Sequence, residues 1–175
     1  GFVDAVRDIA GALPSARQTL LFSATLEGRV LTIARELLDD PATIRLASNH
    51  NRHESIDQKV HQADDMGHKH RLLRHWLGRE ELEQAVIFTA TKRSADELAQ
   101  GLAEHGHASA ALHGDMHQGA RKRTVERMRR GQVKLLVATD VAARGLDIKG
   151  ISHVINFDLP MVAEDYIHRI GRTGR

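Results

Sequence analysis

Short apolar runs set at intervals constrain this chain more than any other feature. Ala85-Val86-Ile87-Phe88 and Leu135-Leu136-Val137-Ala138 are unbroken. A run with no polar residue suits a strand covered on both faces, not one with a wet side. Residues 108–112 read as a small-residue strand, and His153-Val154-Ile155-Asn156-Phe157 as a further one. The stretches between them are helical. Leu72, Leu73, Trp76 and Leu77 recur at helical spacing. Ser94 with Glu97 reads as a capping box ahead of Leu98, Ala99 and Leu102, and Gly106 can end that helix. Asp115 with Gln118 opens a basic helix that ends near Gly131, and residues 163–170 form the last one. Strand and helix alternate throughout. The expected fold is α/β, a parallel sheet with helices on both faces in three layers. In such sheets ligands sit at the carboxyl ends of the strands. The polar residues at those ends are 89–92, 113–115, 139–147 and Asp158.

Residues 1–47 read differently. Phe2, Val6, Ile9, Ala10 and Leu13 follow helical spacing until Pro14. Residues 19–22 and 43–46 read as short strands. Between them Leu26, Val30, Ile33, Ala34, Leu37 and Leu38 form one apolar face, with Thr25 as the cap. Helix, strand, helix, strand is too little for a core of its own, so this stretch is expected to be the end of a preceding domain. Residues 48–55 are polar and aperiodic, as a linker would be. Residues 56–62 alternate weakly and are expected to start the second domain, 56–175. Both ends of the sequence read as cuts, the last one within a motif.

Charge and composition narrow the function. Formal net charge is only +2, with a pI near 9.2. A polyanion site must therefore be a local patch and not a global field. There are no cysteines, which excludes disulfides and thiolate metal sites and suits a reducing compartment. No apolar run approaches the roughly 18 residues of a membrane span. The twelve histidines invite a metal reading. However, His68, His70 and His75 lack the i, i+4 spacing of a helical zinc site, and no metal site is expected here.

Two stretches carry most of the chemistry. Residues 168–175, His-Arg-Ile-Gly-Arg-Thr-Gly-Arg, set an arginine at every third position with glycines between. Guanidinium forks so spaced can share a face and grip phosphate oxygens. The plain alternative is a solvated basic tail. Residues 138–147, Ala-Thr-Asp-Val-Ala-Ala-Arg-Gly-Leu-Asp, follow a buried strand directly and crowd a hydroxyl, two carboxylates, an arginine and a glycine at its end. Arg121 lies near the start of the basic helix, three residues after Gln118, where phosphate binders are favoured. The other basic residues of that helix read as a solvated face.

In order along the chain, Ser23-Ala24-Thr25, Val86-Ile87-Phe88 with Thr91-Lys92, Gln118 with Arg121, residues 138–147 and residues 168–175 resemble the DEAD-box RNA helicases of superfamily 2. The resemblance covers essentially the whole chain and leans toward bacterial members in residues 22–28 and 63–65. It implies the end of a first RecA-like lobe, a linker and nearly all of a second RecA-like lobe of P-loop NTPase type. It implies that Arg172 and Arg175 act as arginine fingers on the γ-phosphate of ATP, and that Asp147 holds the ribose. Gly114, Arg121, Thr139, Arg144 and Gly145 would bind the RNA backbone, while Ser23, Ala24, Thr25 and His168 would couple the lobes. ATP and Mg2+ are the implied cofactors, and a cytoplasmic ribonucleoprotein or ribosome-assembly setting is implied, with no membrane. Contacts to sugar and phosphate make binding largely independent of sequence. With only 3% aromatic residues, base stacking is not the expected mode.

Two family elements are absent from these residues. There is no Gly-x-x-x-x-Gly-Lys-Ser/Thr loop and no Asp-Glu-Ala-Asp run. In the family both lie upstream, and they supply the phosphate cradle and the magnesium site. A finger without a cradle has nothing to act on, so this stretch alone is expected to be inactive. Two other readings stand beside the motor: a non-catalytic RNA-binding or adaptor module on the same fold, and a DNA-translocating relative.

Overall fold

The structure is a computed structural model and describes residues 2–23, 26, 28–45, 56–146 and 148–174. It divides into two compact units, residues 1–48 and 49–175.

In the first unit, α1 (Val3–Ala12) and α2 (Gly28–Leu37) are joined by a two-pronged ion pair. Arg7 Nε and Nη2 donate to the two carboxylate oxygens of Glu36 at 2.8 and 3.0 Å. Both expected helices are present. The expected strands are not: residues 19–22 and 43–45 are without regular structure, and Leu46 lies outside the described residues. A short apolar run becomes a strand only where a neighbour completes its ladder. Phe2, Leu20, Phe22 and Ile44 are exposed. Thr25, the expected cap of the second helix, also lies outside the described residues.

The second unit carries the α/β fold. Its elements are α3 (Met66–Leu77), β1 (Ala85–Phe88), α4 (Lys92–Glu104), β2 (Ser109–Leu112), α5 (Gln118–Arg129), β3 (Leu135–Ala138), the one-turn α6 (Asp140–Ala143), β4 (His153–Asn156) and α7 (Ala163–Ile170). The four strands form a parallel sheet in the order β2-β3-β1-β4. Residues 56–62, whose weak alternation could mark a strand, form none; residues 57–63 run as an exposed strap ahead of α3.

Alternate strand residues point to opposite faces, and the core is split accordingly. Ala85, Ile87, Leu135 and Val137 pack under Leu73 and Leu77 of α3 and Leu98, Ala99 and Leu102 of α4. Val86, Phe88, Leu136 and Ala138 pack on the other face against Met128 of α5 and Ala142 and Ala143 of α6. This double cover is why β1 and β3 contain no polar residue, and both are buried throughout. β4, at the sheet margin, is only half-buried, which leaves room for His153 and Asn156.

The helix starts differ from expectation in detail. The capping box of α4 belongs to Thr91, not Ser94. Thr91 Oγ1 accepts from the Ser94 N–H at 3.0 Å, and the Ser94 hydroxyl accepts from the Thr91 N–H at 3.2 Å. Glu97 instead pairs with Arg93 one turn back. Asp115 does not cap α5 either. It pairs with Lys92 of α4, whose ammonium holds the Asp115 carboxyl below the usual carboxylate range. Gly106 ends α4 as expected, at φ +86°, a conformation that glycine adopts without steric cost.

Thr91→Ala should cost about 1 kcal/mol in urea unfolding of this chain, as the loss of an N-cap does. Glu97→Ala should cost no more than about 0.5 kcal/mol, as for an exposed helix pair. The reverse ranking would contradict the cap assignment.

Candidate functional site

Residues flagged at the ends of β1, β3 and β4 converge on Arg169 of α7, one of the arginines expected to grip phosphate. Arg169 is 2% exposed. Its Nε and Nη2 donate to the two carboxylate oxygens of Asp140 at 2.6 and 2.8 Å. Its Nη1 donates to Asn156 Oδ1 at 2.9 Å and to the Asp158 carbonyl at 2.6 Å. The guanidinium also lies 4.8 Å from the centroid of the Phe88 ring. One side chain thus ties α7 to the ends of β1, β3 and β4. A bidentate arginine–carboxylate pair is directional as well as strong, so it fixes the orientation of α7 and not merely its proximity.

The anchor is braced from behind. Lys69 of α3 donates to Asp158 Oδ1 at 2.6 Å and lies 4.2 Å from the Phe157 ring centroid. The Ala90 N–H donates to Asp158 Oδ2 at 2.9 Å. Burial alone would push the Asp158 carboxyl up. Lys69, the Ala90 N–H and nearby Arg169 outweigh it and hold the group below the usual carboxylate range. Asp140 and Asp158 are thus both engaged, and among the described residues no group of three or more His, Asp or Glu could hold a metal ion. His68 faces Asp64 at 2.9 Å, His70 stacks on Phe157 and His75 on Trp76.

Arg172 follows one turn after Arg169 but points elsewhere. Its Nη1 donates to the Leu146 carbonyl at 2.6 Å and its Nε to the His168 carbonyl at 3.3 Å. The arginines at every third position therefore do not form one gripping face. The first is a buried anchor, because the inner side of α7 rests on the sheet, and the second lies half-exposed against residues 144–146. Arg144 Nη2 donates to Asp165 of α7 at 2.9 Å, and the Arg144 side chain remains 64% exposed. Such an open pair is worth little and can be exchanged for another anion. Gly145 has φ +73° with no atom within 4 Å of where a Cβ would stand, so its backbone is open to close approach.

The remaining candidates line the neighbouring strand ends. Thr139, 8% exposed, starts α6, and its carbonyl accepts from the N–H groups of Ala142 and Ala143. Arg121 of α5 donates to the Ala142 carbonyl at 3.4 Å. Gly114 follows β2 and faces Lys92, whose Cε would lie 3.6 Å from an added Cβ. His168 lines a small cleft with Phe88, Arg144, Asp165 and Arg172, and its Nδ1 is buried without a hydrogen-bond partner. The structure thus brings Arg121, Thr139, Arg144, Gly145, His168 and Arg172 to one end of the sheet. Ser23 lies exposed in the first unit. Ala24, Thr25, Asp147 and Arg175 lie outside the described residues.

Arg169→Ala should lower the stability of this chain by about 3 kcal/mol or more in urea unfolding, because the Asp140 carboxylate would lose its partner. Arg172→Ala, which removes hydrogen bonds to backbone carbonyls at the rim, should cost about 1 kcal/mol. Equal costs would contradict the division between anchor and rim.

Comparison with known proteins bears on the same residues. The sequence profile of the helicase conserved C-terminal domain matches residues 68–175. RNA helicase CrhR of Synechocystis is 43% identical over 99% of this chain, and ATP-dependent RNA helicase SrmB of Escherichia coli is 43% identical over all of it. The chain spans 35% and 40% of those two proteins. Among solved structures, a Saccharomyces cerevisiae Dbp5 variant bound to RNA and ADP-BeF3 superposes with a TM-score of 0.83 at 35% identity, covering 98% of this chain and 46% of that one. E. coli SrmB bound to the regulator RraA gives 0.62 at 46% identity, covering 68% and 72%. The four-stranded parallel sheet is the RecA-like sheet of these helicase lobes. The chain belongs to the helicase conserved C-terminal domain family, in its DEAD-box branch.

Proposed function

We propose that this chain supplies the second motor lobe of an ATP-dependent RNA helicase, with residues 1–47 as the end of the first lobe and 48–55 as the linker. The observation that carries this reading is the pairing of a fixed arginine on α7 with a second arginine in the turn that directly follows it. Arg169 is locked to Asp140, Asn156 and Asp158, whereas the contacts of Arg172 at the rim include the carbonyl oxygens of Leu146 and His168. A phosphate oxygen is a stronger acceptor than a carbonyl, so an incoming γ-phosphate can take Arg172 from Leu146 without disturbing α7. Arg172 and Arg175 then stabilise the charge that spreads over the transferring phosphoryl group, and Asp147 holds the ribose. Relatives support this: CrhR and SrmB are named RNA helicases, and the Dbp5 variant structure is bound to RNA and ADP-BeF3.

RNA backbone would lie along the ends of β2 and β3. There Arg121 and Arg144 supply charge, and Gly114, Thr139 and Gly145 supply open backbone and a helix start. Arg144 would exchange Asp165 for a phosphate. Ser23–Thr25 and His168 would couple the two lobes. Mg2+ would be held by upstream carboxylates. A cytoplasmic, ribonucleoprotein-linked setting belongs to the same proposal. Among the described residues no helix is long and apolar enough to cross a membrane.

The test is RNA-stimulated ATPase activity of the full-length parent. Arg172→Ala and Arg175→Ala should each lower kcat by about 10³-fold, as expected for an arginine finger, with RNA binding retained. Residues 1–175 alone should show no turnover. Full activity in both variants, or turnover by this stretch alone, would contradict the assignment. DNA stimulating the parent as well as RNA does would favour a DNA translocase.

A further inference from the structure

The strap of residues 57–63 lies directly after the linker in sequence and is exposed, with neither helix nor strand. Val60 is 94% exposed, so burial does not hold it. Side-chain contacts do. Trp76 Nε1 of α3 donates to His61 Nε2 at 3.1 Å, and Lys59 Nζ lies 5.5 Å from the Trp76 ring centroid. At its linker end, the Tyr166 hydroxyl of α7 donates to Gln58 Oε1 at 2.7 Å. The strap therefore joins the linker to the helix that carries Arg169, and Arg172 sits in the turn just after that helix, its N–H on the Arg169 carbonyl at 3.0 Å.

The placement on α7 matters. Tyr166 is three residues before Arg169 and Arg172 three residues after it. Arg169 is the buried fixed point. A pull on Tyr166 is then transmitted about that fulcrum to Arg172, as in a short lever. α3, to which the strap is also fastened, is itself tied to the fulcrum, because Lys69 holds Asp158.

We propose that Gln58 and Tyr166 are a positioning pair through which the interlobe linker sets the angle of α7, and hence the reach of Arg172. The proposal rests on the motor reading above. Neither residue is among those assigned to nucleotide or RNA. Their effect is confined to the step in which the finger meets the phosphate.

The experiment uses the full-length parent with Tyr166→Phe, Gln58→Met, Gln58→Glu and the Tyr166→Phe/Gln58→Met double variant. Gln58→Met removes the acceptor at similar size, and Gln58→Glu keeps it. Tyr166→Phe and Gln58→Met should each lower the kcat of RNA-stimulated ATP hydrolysis about fivefold, the size one neutral hydrogen bond carries, with KM for ATP moving by less than about twofold. Gln58→Glu should stay near wild type. The double variant should be no worse than either single one, since both remove one interaction. Unchanged kcat in both single variants, multiplied losses in the double, or Gln58→Glu falling as far as Gln58→Met would overturn the pair. A wild-type parent without RNA-stimulated turnover would instead overturn the motor reading, and the pair with it.

Discussion

The rest of the second unit depends on one buried guanidinium. Arg169 collects Asp140 from the end of β3, and Asn156 and the Asp158 carbonyl from the end of β4, over the ring of Phe88 at the end of β1. Burying that charge is costly unless its donors are met. Here each of Nε, Nη1 and Nη2 donates at 2.6 to 2.9 Å. The compensation comes from three separate strand ends, so the network holds only when the sheet is assembled in this order. Fold and site are therefore coupled. The same contact that completes the core on that face also aims the helix from which the rim arginine follows.

The sheet order explains the division of labour along its carboxyl edge. β2 and β3 lie together on one side, with Gly114, Arg121 and Thr139 at their ends. β4 lies at the other margin and feeds α7. Residues 144–146 bridge the two sides, Arg144 through Asp165 and Leu146 through Arg172. A polyanion on one side and a phosphate on the other would thus compete for contacts with neighbouring residues of one loop. That is a physical route for coupling RNA and nucleotide, made of exchangeable hydrogen bonds and not of a large rearrangement.

Much of this was legible in the sequence where the signal was local. The unbroken runs 85–88 and 135–138 gave strands because residues alternating toward two apolar layers leave no wet face. Helices 118–129 and 163–170 were equally plain, and Gly106 marked a true helix end. What depended on distant partners was not legible. Residues 19–22 and 57–62 have strand-like composition, but a ladder neighbour cannot be read from composition. Thr91 and Ser94 both carry a hydroxyl three residues apart, and only the backbone decides which one caps. Spacing alone treated Arg169 and Arg172 alike. Their difference arises because Asp140, Asn156 and Asp158 meet Arg169 from segments widely separated in sequence. Asp158 was flagged only as a strand-end carboxylate; its link to Lys69 spans the whole unit.

The most direct test of the account is a crystal structure of the full-length parent closed on RNA and a non-hydrolysable ATP analogue. The prediction is that Arg169 keeps its contacts with Asp140, Asn156 and Asp158, while Arg172 has left the Leu146 carbonyl for the terminal phosphate. Arg169 released from Asp140, or Arg172 still on Leu146 with the nucleotide in place, would contradict the division into fixed anchor and moving finger.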